Sequence, residues 1–557
     1  MSVRRTVLSM LLAVTLCGGA ATAAGGRNSI SPGDLREWLT YLSSDELEGR
    51  AVYTEGFGLA AGYIETHLRE WGVQPKGDGG SYLQTVRVQS IHSTGHSTLT
   101  VQIGKDVRTF KDGEGITFPK NLGAKRTFTV DRVEFAAYGL DAPGAHYSDL
   151  AGKDFRGAAV VYLGTAAPKA IDAEAARRLL NGRGRWLTEQ MNAVAAIGPT
   201  PPATDNQRPA PAAGADAAPR QPRPDFITTQ RLDQPTPPAA TADDSLLQFL
   251  FSRAPTKYDE LKKRADARES LQGFTLDGVK LTFNLDADYE VLRTQLTQNI
   301  VGVVEGSDPQ LKSTYVALGA HYDHVGYAES ELSSDNRRPS APGRVTPGAE
   351  QDRIWNGADD DGSGTSALMG IARAFAEGSR PKRSVLFVWH AGEERGLLGS
   401  RYFADHPTVP IDRIVAQLNI DMIGRNRDNN QSEANTVYLV GSDRISTELH
   451  EINRAANRAM TQPLKLDYEM NDPADPEQLY FRSDHYSYAA KGIPVIFFTT
   501  GLHPDYHANT DEVSKIEFPK MTRIAQMVYE TAWRVGNLDH APMRDFKGPR
   551  AGKGTTE

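Results

Sequence analysis

Residues 384–396 read SVLFVWHAGEERG, a short apolar run that ends in a histidine and two adjacent glutamates. Its first six residues predict a buried strand, because strands that are covered on both faces are continuously hydrophobic. Further runs of the same kind are residues 300–304, 315–318, 415–420 and 494–498. Helical stretches such as residues 366–376 separate several of them. Strands that alternate with helices predict an α/β fold with a mixed, mostly parallel sheet flanked by helices.

Four of these strands lead directly into acidic or histidine residues. The polar positions are His321 and Asp323, Glu393 and Glu394, Asp421, and Tyr506 and His507, and a loop with Asp359, Asp360 and Asp361 precedes the 366–376 helix. Ligands of α/β folds bind beyond the carboxyl ends of the strands. Crowded carboxylates repel one another unless a cation lies among them. Carboxylate and imidazole groups without cysteine suit zinc or a similar divalent metal, and one shared carboxylate can bridge a pair of metals.

Five motifs in this half of the chain resemble those of the di-zinc aminopeptidase and glutamate carboxypeptidase family, in peptidase clan MH. They are GAHYD (319–323), GADDDGSG (357–364), GEERGLLGS (392–400), NIDM (419–422) and YH (506–507), all in the family's order. The resemblance covers about residues 298–535 and implies a zinc exopeptidase-like fold. DELEGR (45–50) also resembles the opening of such peptidases. Residues 127–288 more loosely resemble the protease-associated domain that many members carry.

The resemblance implies a role for each motif residue. It predicts two zinc ions per chain, with His321 and Asp421 on the first ion, Glu394 and His507 on the second, and Asp360 as the bridge. Asp360, rather than Asp359 or Asp361, has the family's spacing to Ser363 and Gly364. Asp323 is predicted to orient the imidazole of His321, as ligating histidines usually require.

Two residues are predicted to act in catalysis by the same resemblance. Glu393 is the proposed general base, beside the metals but outside their ligands. Tyr506 is placed by analogy to stabilise the oxyanion. His503 and His485 are the alternatives to His507. The adjacent Ser483, Asp484 and His485 are not expected to form a hydrolytic triad; a structural or pocket-lining role is expected instead.

Composition excludes several classes of protein. The chain has 557 residues, one cysteine and a net charge of −8. One cysteine allows neither an internal disulfide nor a cysteine-based zinc site. A negative net charge argues against a general nucleic-acid binder.

The first 24 residues are predicted to be a signal peptide. Arg4 and Arg5 precede a short apolar run (7–16) and a small-residue cleavage site, which is the pattern of secretory signals. The run is short for a membrane anchor, and the bulky Leu16 before Cys17 disfavours a lipoprotein. A secreted or periplasmic protein, without stable membrane insertion after signal removal, is therefore expected.

The predicted organisation follows from these segments. Residues 25–126 are assigned to the N-terminal part of the peptidase domain, and residues 127–288 to a β-rich protease-associated-like insert. A proline- and alanine-rich mobile loop is predicted at 199–238, because such composition buries too little apolar surface to offset its ordering entropy. Residues 289–540 form the predicted catalytic domain, and residues 541–557 a flexible tail.

The predicted function is an exported zinc-dependent aminopeptidase that acts on peptide substrates. A carboxypeptidase or dipeptidase of the same clan, a glutaminyl-cyclase-like transferase with one metal, and a non-enzymatic relative remain alternatives. The intact bridging position argues against the single-metal enzyme, and suitable residues at all ligand positions argue against the non-enzymatic relative. The sequence leaves open the preferred N-terminal residue, the choice among zinc, cobalt and manganese, and the oligomeric state.

Overall fold

The computed structural model describes residues 25–142, 145–201, 223–332, 341–473, 475–552 and 554–557, so the predicted signal peptide lies outside the described residues. The helices are α1 (Pro32–Leu42), α2 (Glu55–Glu70), α3 (Ala173–Arg185), α4 (Asp244–Leu250), α5 (Tyr258–Asp266), α6 (Gly364–Ala376), α7 (Leu398–Asp405), α8 (Thr447–Arg458), α9 (His485–Ala489) and α10 (Phe518–Asn537).

The strands form two large sheets. In chain order they are β1 (Gln74–Pro75), β2 (Leu83–Gly95), β3 (Thr98–Ile103), β4 (Asp106–Asp112), β5 (Gly115–Thr117), β6 (Arg126–Val130), β7 (Val133–Phe135), β8 (Asp141–Ala142), β9 (Tyr147–Ser148), β10 (Ala159–Val161), β11 (Ala195–Pro199), β12 (Phe226–Thr228), β13 (Ala239–Ala242), β14 (Phe274–Thr275), β15 (Val279–Leu285), β16 (Ala287–Val304), β17 (Tyr315–His321), β18 (Gly326–Tyr327), β19 (Ile354–Trp355), β20 (Ser384–His390), β21 (Ile414–Ile420), β22 (Thr436–Val440), β23 (Lys465–Asp467) and β24 (Val495–Thr499).

The first sheet carries the candidate site and has the order β12-β2-β16-β20-β17-β21-β24-β22-β23, with β1 added beside β16. Strands β20, β17, β21 and β24 are parallel, whereas β16 is antiparallel to β20 and β22 is antiparallel to β24. This arrangement confirms the predicted mixed sheet flanked by helices, with its parallel strands at the centre and antiparallel pairs on both sides of them. Alternate residues of β20 pack into two separate cores: Phe387 faces the core that contains α1, α2, α6 and α10, and Leu386 faces the core that contains α7 and α9.

The second sheet is built from residues between β2 and β16, and we refer to residues 96–286 as the insert. Its strand order is β14-β7-β10-β11-β13-β5-β4-β3-β15-β6. Its core includes Phe135, Phe251 and Phe283 and the helices α4 and α5. Strands β3 to β5 belong to this sheet although they precede residue 127, where the sequence places the start of the insert, because an alternating pattern identifies a strand but not the sheet that it joins. The domain boundaries themselves stay a prediction.

Both segments that the sequence predicts to be mobile make contacts in the parts that the structure describes. Residues 202–222 of the proline- and alanine-rich loop lie outside the described residues, but β12, which follows them, pairs with β2 at the edge of the first sheet. The C-terminal tail lies beside β23, where Glu557 O accepts a hydrogen bond of 2.7 Å from Leu466 N. Among the described residues, none of the helices combines the length and the hydropathy needed to cross a bilayer.

We expect Leu386→Ala in β20 to lower the free energy of unfolding by about 3 kcal/mol, because it leaves a cavity in a strand packed on both faces. Leu386 is 0% exposed, whereas Leu59 on α2 is 44% exposed. The matched Leu59→Ala control is expected to change stability by about 0.5 kcal/mol or less. Urea denaturation of both variants checks this, and equal losses would contradict the proposed packing of β20.

Candidate active site

The parallel strands bring the predicted residues to one edge of the first sheet. His321 is the last residue of β17, Asp421 follows β21 directly, and the Glu393–Glu394 pair follows β20. His321 Nε2 lies 3.3 Å from Asp360 Oδ1 and 3.7 Å from Asp421 Oδ1. These three side chains therefore form one group of candidate ligands.

A second group lies on the other side of Asp360. His507 Nε2 lies 3.1 Å from Asp360 Oδ2 and 2.9 Å from Glu394 Oε2. Asp360 thus directs one carboxylate oxygen towards each group. All five residues predicted as metal ligands are brought together, with Asp360 in the middle.

The loop before α6 holds Asp360 through its neighbours. The backbone N–H groups of Asp359 and Asp360 donate to Asp511 Oδ2 over 3.0 and 3.1 Å. Asp361 accepts backbone N–H groups, including that of Gly364 over 2.8 Å. A Cβ at Gly364 would lie 2.3 Å from Asp361 Oδ1, which explains why the loop ends in a glycine.

Asp361 also belongs to the first group geometrically. With His321 and Asp421 it forms a set whose ligand atoms are close enough to hold a metal ion. Both of its oxygens accept hydrogen bonds from the backbone, among them the N–H of His321 over 3.2 Å and that of Met422 over 3.2 Å. Its carboxylate therefore ties the loop to β17 and to the end of β21.

Asp323 contacts His321 mainly through its backbone. His321 Nδ1 lies 3.1 Å from the carbonyl oxygen of Asp323 and 3.8 Å from its Oδ1. The carboxylate instead accepts the backbone N–H groups of Gly392, over 2.7 Å, and Glu393, over 3.2 Å. Asp323 therefore fixes both the imidazole and the turn that carries Glu393.

Glu393 lines a cleft of about 390 Å³ next to the two groups. The other lining residues are Asp360, Asp421, Met422, Leu479, Arg482, Ser483, Phe497, Thr499, Leu502, Tyr506 and His507. Burial raises the pKa of Glu393, and the neighbouring Glu394, Asp421 and Asp484 raise it further. A carboxylate with a raised pKa beside an open cleft is typical of a proton-transferring group.

Tyr506 faces the same cleft and is held at both ends. Its ring stacks on His507 with 4.0 Å between the centroids. Its hydroxyl oxygen accepts a hydrogen bond of 3.1 Å from Arg482 Nη2. The hydroxyl proton is therefore directed away from the guanidinium.

Ser483 and Asp484 each contact a different neighbouring side chain. Ser483 Oγ donates to Asp421 Oδ2 over 2.6 Å, and Asp484 pairs with the buried His390 at 3.3 Å. The alternative histidines lie outside both groups: His503 Nε2 is 3.2 Å from Asp359 Oδ2, and His485 stacks on Phe497. Burial lowers the pKa of His485 to about 3, so its ring is neutral.

His324 is a site residue to which the sequence motifs assign no role. Its Nδ1 lies 2.8 Å from Glu394 Oε1 and 4.0 Å from Asp360 Oδ2. It forms, with Asp360 and Glu394, the second set whose ligand atoms are close enough to hold a metal ion. The sequence signal for His324 is its position directly after Asp323, just beyond the end of β17.

The two groups fit a pair of divalent cations. Asp360 Oδ2 and Glu394 Oε1 are buried, and each lies beside an imidazole nitrogen, that of His507 at 3.1 Å and that of His324 at 2.8 Å. Buried carboxylates this close together carry a large desolvation and repulsion penalty, which a cation among them would offset. Carboxylate oxygen and imidazole nitrogen donors are those that zinc accepts in proteins.

Comparison with known proteins agrees with this geometry. Residues 299–532 match the profile of peptidase family M28. A probable leucine aminopeptidase of Arthroderma benhamiae is 25% identical over 296 residues, which cover 51% of this chain and 70% of that protein. Aminopeptidase YwaD of Bacillus subtilis is 25% identical over 276 residues, covering 48% of this chain and 51% of that protein.

Among solved structures, a zinc aminopeptidase from Bacillus subtilis is 16% identical with a TM-score of 0.41, and covers 93% of this chain and 99% of that chain. An aminopeptidase from Aneurinibacillus sp. strain AM-1 is 17% identical with a TM-score of 0.43, and covers 95% of this chain and 100% of that chain. The family profile spans both groups of candidate ligands, from His321 to His507. The match to peptidase family M28 therefore covers residues 299–532, the part of the chain that contains the candidate site.

Proposed function

We propose that this protein is an exported aminopeptidase that removes the N-terminal residue of peptides with the help of two zinc ions per chain. The observation that carries the proposal is Asp360, which directs one carboxylate oxygen towards each of two groups of candidate ligands. A shared carboxylate between two sets of donors is the arrangement of two-metal hydrolases. The names of the relatives, which include leucine aminopeptidases, support the same activity. The proposal that the protein is exported rests on residues 1–24, which have the pattern of a signal peptide.

The ligand assignment follows the two groups. His321 and Asp421 would hold the first ion, Glu394 and His507 the second, and Asp360 both. His324 borders the second ion through its contact with Glu394. When bound, the pair of ions polarises the scissile carbonyl and lowers the pKa of the attacking water.

Glu393 moves the proton. Its carboxylate accepts a proton from the attacking water and returns it to the nitrogen of the leaving amine, so that no net charge is left on the enzyme. The hydrogen bond from the Glu393 backbone to Asp323 fixes the turn on which the carboxylate lies. Tyr506 would donate a hydrogen bond to the developing oxyanion, and Arg482 keeps the hydroxyl oriented by donating to its oxygen.

The cleft favours an apolar N-terminal side chain. One part of its lining is contributed by Met422, Leu479, Phe497 and Leu502. Apolar lining with a few polar groups at the reacting centre is the usual form of a site that selects a hydrophobic group. We therefore propose residues of the size of leucine or phenylalanine at the N-terminus of the substrate.

We expect Glu393→Gln to lower kcat by ~10²–10⁴-fold while the zinc content is kept, because the amide cannot accept a proton. The exposed Glu290→Gln on β16 is the matched control and should keep full activity. Hydrolysis of leucine p-nitroanilide together with metal analysis checks this. Full turnover of Glu393→Gln with its zinc retained would remove Glu393 from the mechanism.

Metal analysis should find two zinc ions per chain in the active protein, because the structure contains two sets of carboxylate and imidazole groups whose ligand atoms are close enough to hold an ion. Chelation should abolish hydrolysis and added zinc should restore it. Asp360→Ala should lower the affinity for both ions. One zinc in a fully active enzyme would favour the single-metal, glutaminyl-cyclase-like alternative.

Peptides with a free N-terminal amine should be cleaved, and their N-acetylated counterparts should not, since an aminopeptidase binds the free amine. Hydrolysis of Leu-Gly-Gly and acetyl-Leu-Gly-Gly, followed by chromatography of the products, measures the difference. Release of C-terminal glycine from the acetylated peptide would indicate a carboxypeptidase instead.

A further inference from the structure

One turn of the insert lies against the wall of the cleft. We call residues 185–190 the insert turn and residues 478–486 the cleft wall. The ring of Trp186 meets that of Phe481 edge-on, with 6.0 Å between the centroids. Tyr480 OH donates to Gln190 Oε1 over 3.3 Å, and Tyr486 OH donates to the carboxylate of Glu189. The two segments are therefore joined by both aromatic and polar contacts.

The buried side chain of Arg444 adds a further contact between the insert turn and the cleft wall. The guanidinium of Arg444 lies 3.8 Å from the ring centroid of Tyr480 and 5.5 Å from that of Trp186. Its Nε donates to Asn471 Oδ1 over 3.0 Å, so the guanidinium is held in place. A cation between two aromatic rings attracts both of them, and desolvation increases the attraction. Arg444 thus links the insert turn to the cleft wall.

The cleft wall touches the reaction centre on its other side. Leu479, Arg482 and Ser483 line the cleft. Ser483 donates to Asp421, and Arg482 donates to Tyr506. Residues held by the insert turn are therefore close neighbours along the chain of residues that line the cleft.

We propose that the insert turn is a positioning element that fixes the wall of the cleft to which Leu479 belongs, so that the enzyme favours large apolar N-terminal side chains over small ones. The inference rests on the proposed aminopeptidase function. Trp186 acts through Phe481 and Arg444 and does not contact the substrate. A wall that is supported from behind keeps its shape when the pocket is filled, and the fit of a side chain to such a pocket discriminates about 10- to 200-fold between residues that differ by a methylene group or more.

Trp186→Ala tests the proposal. We expect the ratio of kcat/KM for leucine p-nitroanilide to that for alanine p-nitroanilide to fall by about 10-fold, mainly through KM for the leucine substrate. The zinc content should not change. Trp186→Phe retains an aromatic ring and should keep the ratio within about 2-fold of the wild type. Trp533→Ala, on α10 and remote from the insert, is the matched control and should leave the ratio unchanged.

Tyr486→Phe provides a second measurement that does not truncate a ring. It removes only the hydroxyl that donates to Glu189 and should lower the same ratio, by a smaller factor than Trp186→Ala. An unchanged ratio in both folded variants would overturn the inference and leave the proposed function intact. Wild-type protein that cleaves neither nitroanilide would overturn the proposed function and this inference with it.

Discussion

The burial of carboxylates at one edge of the sheet is the constraint on which the rest of the site depends. The side chains of Asp360, Glu394 and Asp421 lie close together and are largely buried, and mutual repulsion adds to the cost of desolvation. A cation bound among them would offset this cost, which favours its binding. The backbone N–H of Asp360 donates to the Asp511 carboxylate, and Ser483 Oγ donates to Asp421. These hydrogen bonds hold the carboxylates in place.

Much of this edge could be predicted from the sequence because the local pattern and the topology agree. Buried strands such as β17, β20 and β21 are continuous apolar runs, and their parallel arrangement places the residues that follow them side by side. The positions of His321 and Asp421 follow from that rule alone. Asp360 was singled out by family resemblance, since a run of three aspartates has no pattern that distinguishes its members.

Other features depend on contacts that no local pattern contains. His324 reaches Glu394 only because β17 and β20 end at the same level. The Asp323 carboxylate turns to the backbone of Gly392 because that turn presents free N–H groups there. Strands β3 to β5 join the second sheet through pairing with β15 and β13, which lie far away in sequence. The contact of Trp186 with Phe481 likewise joins residues from two separate cores.

The most direct measurement of the proposed two-metal centre is anomalous diffraction at the zinc absorption edge from crystals grown with zinc. We expect two peaks, one beside His321 and Asp421 and one beside Glu394 and His507, with the Asp360 carboxylate between them. A single peak, or peaks that lie away from Asp360, would contradict a carboxylate-bridged pair of ions.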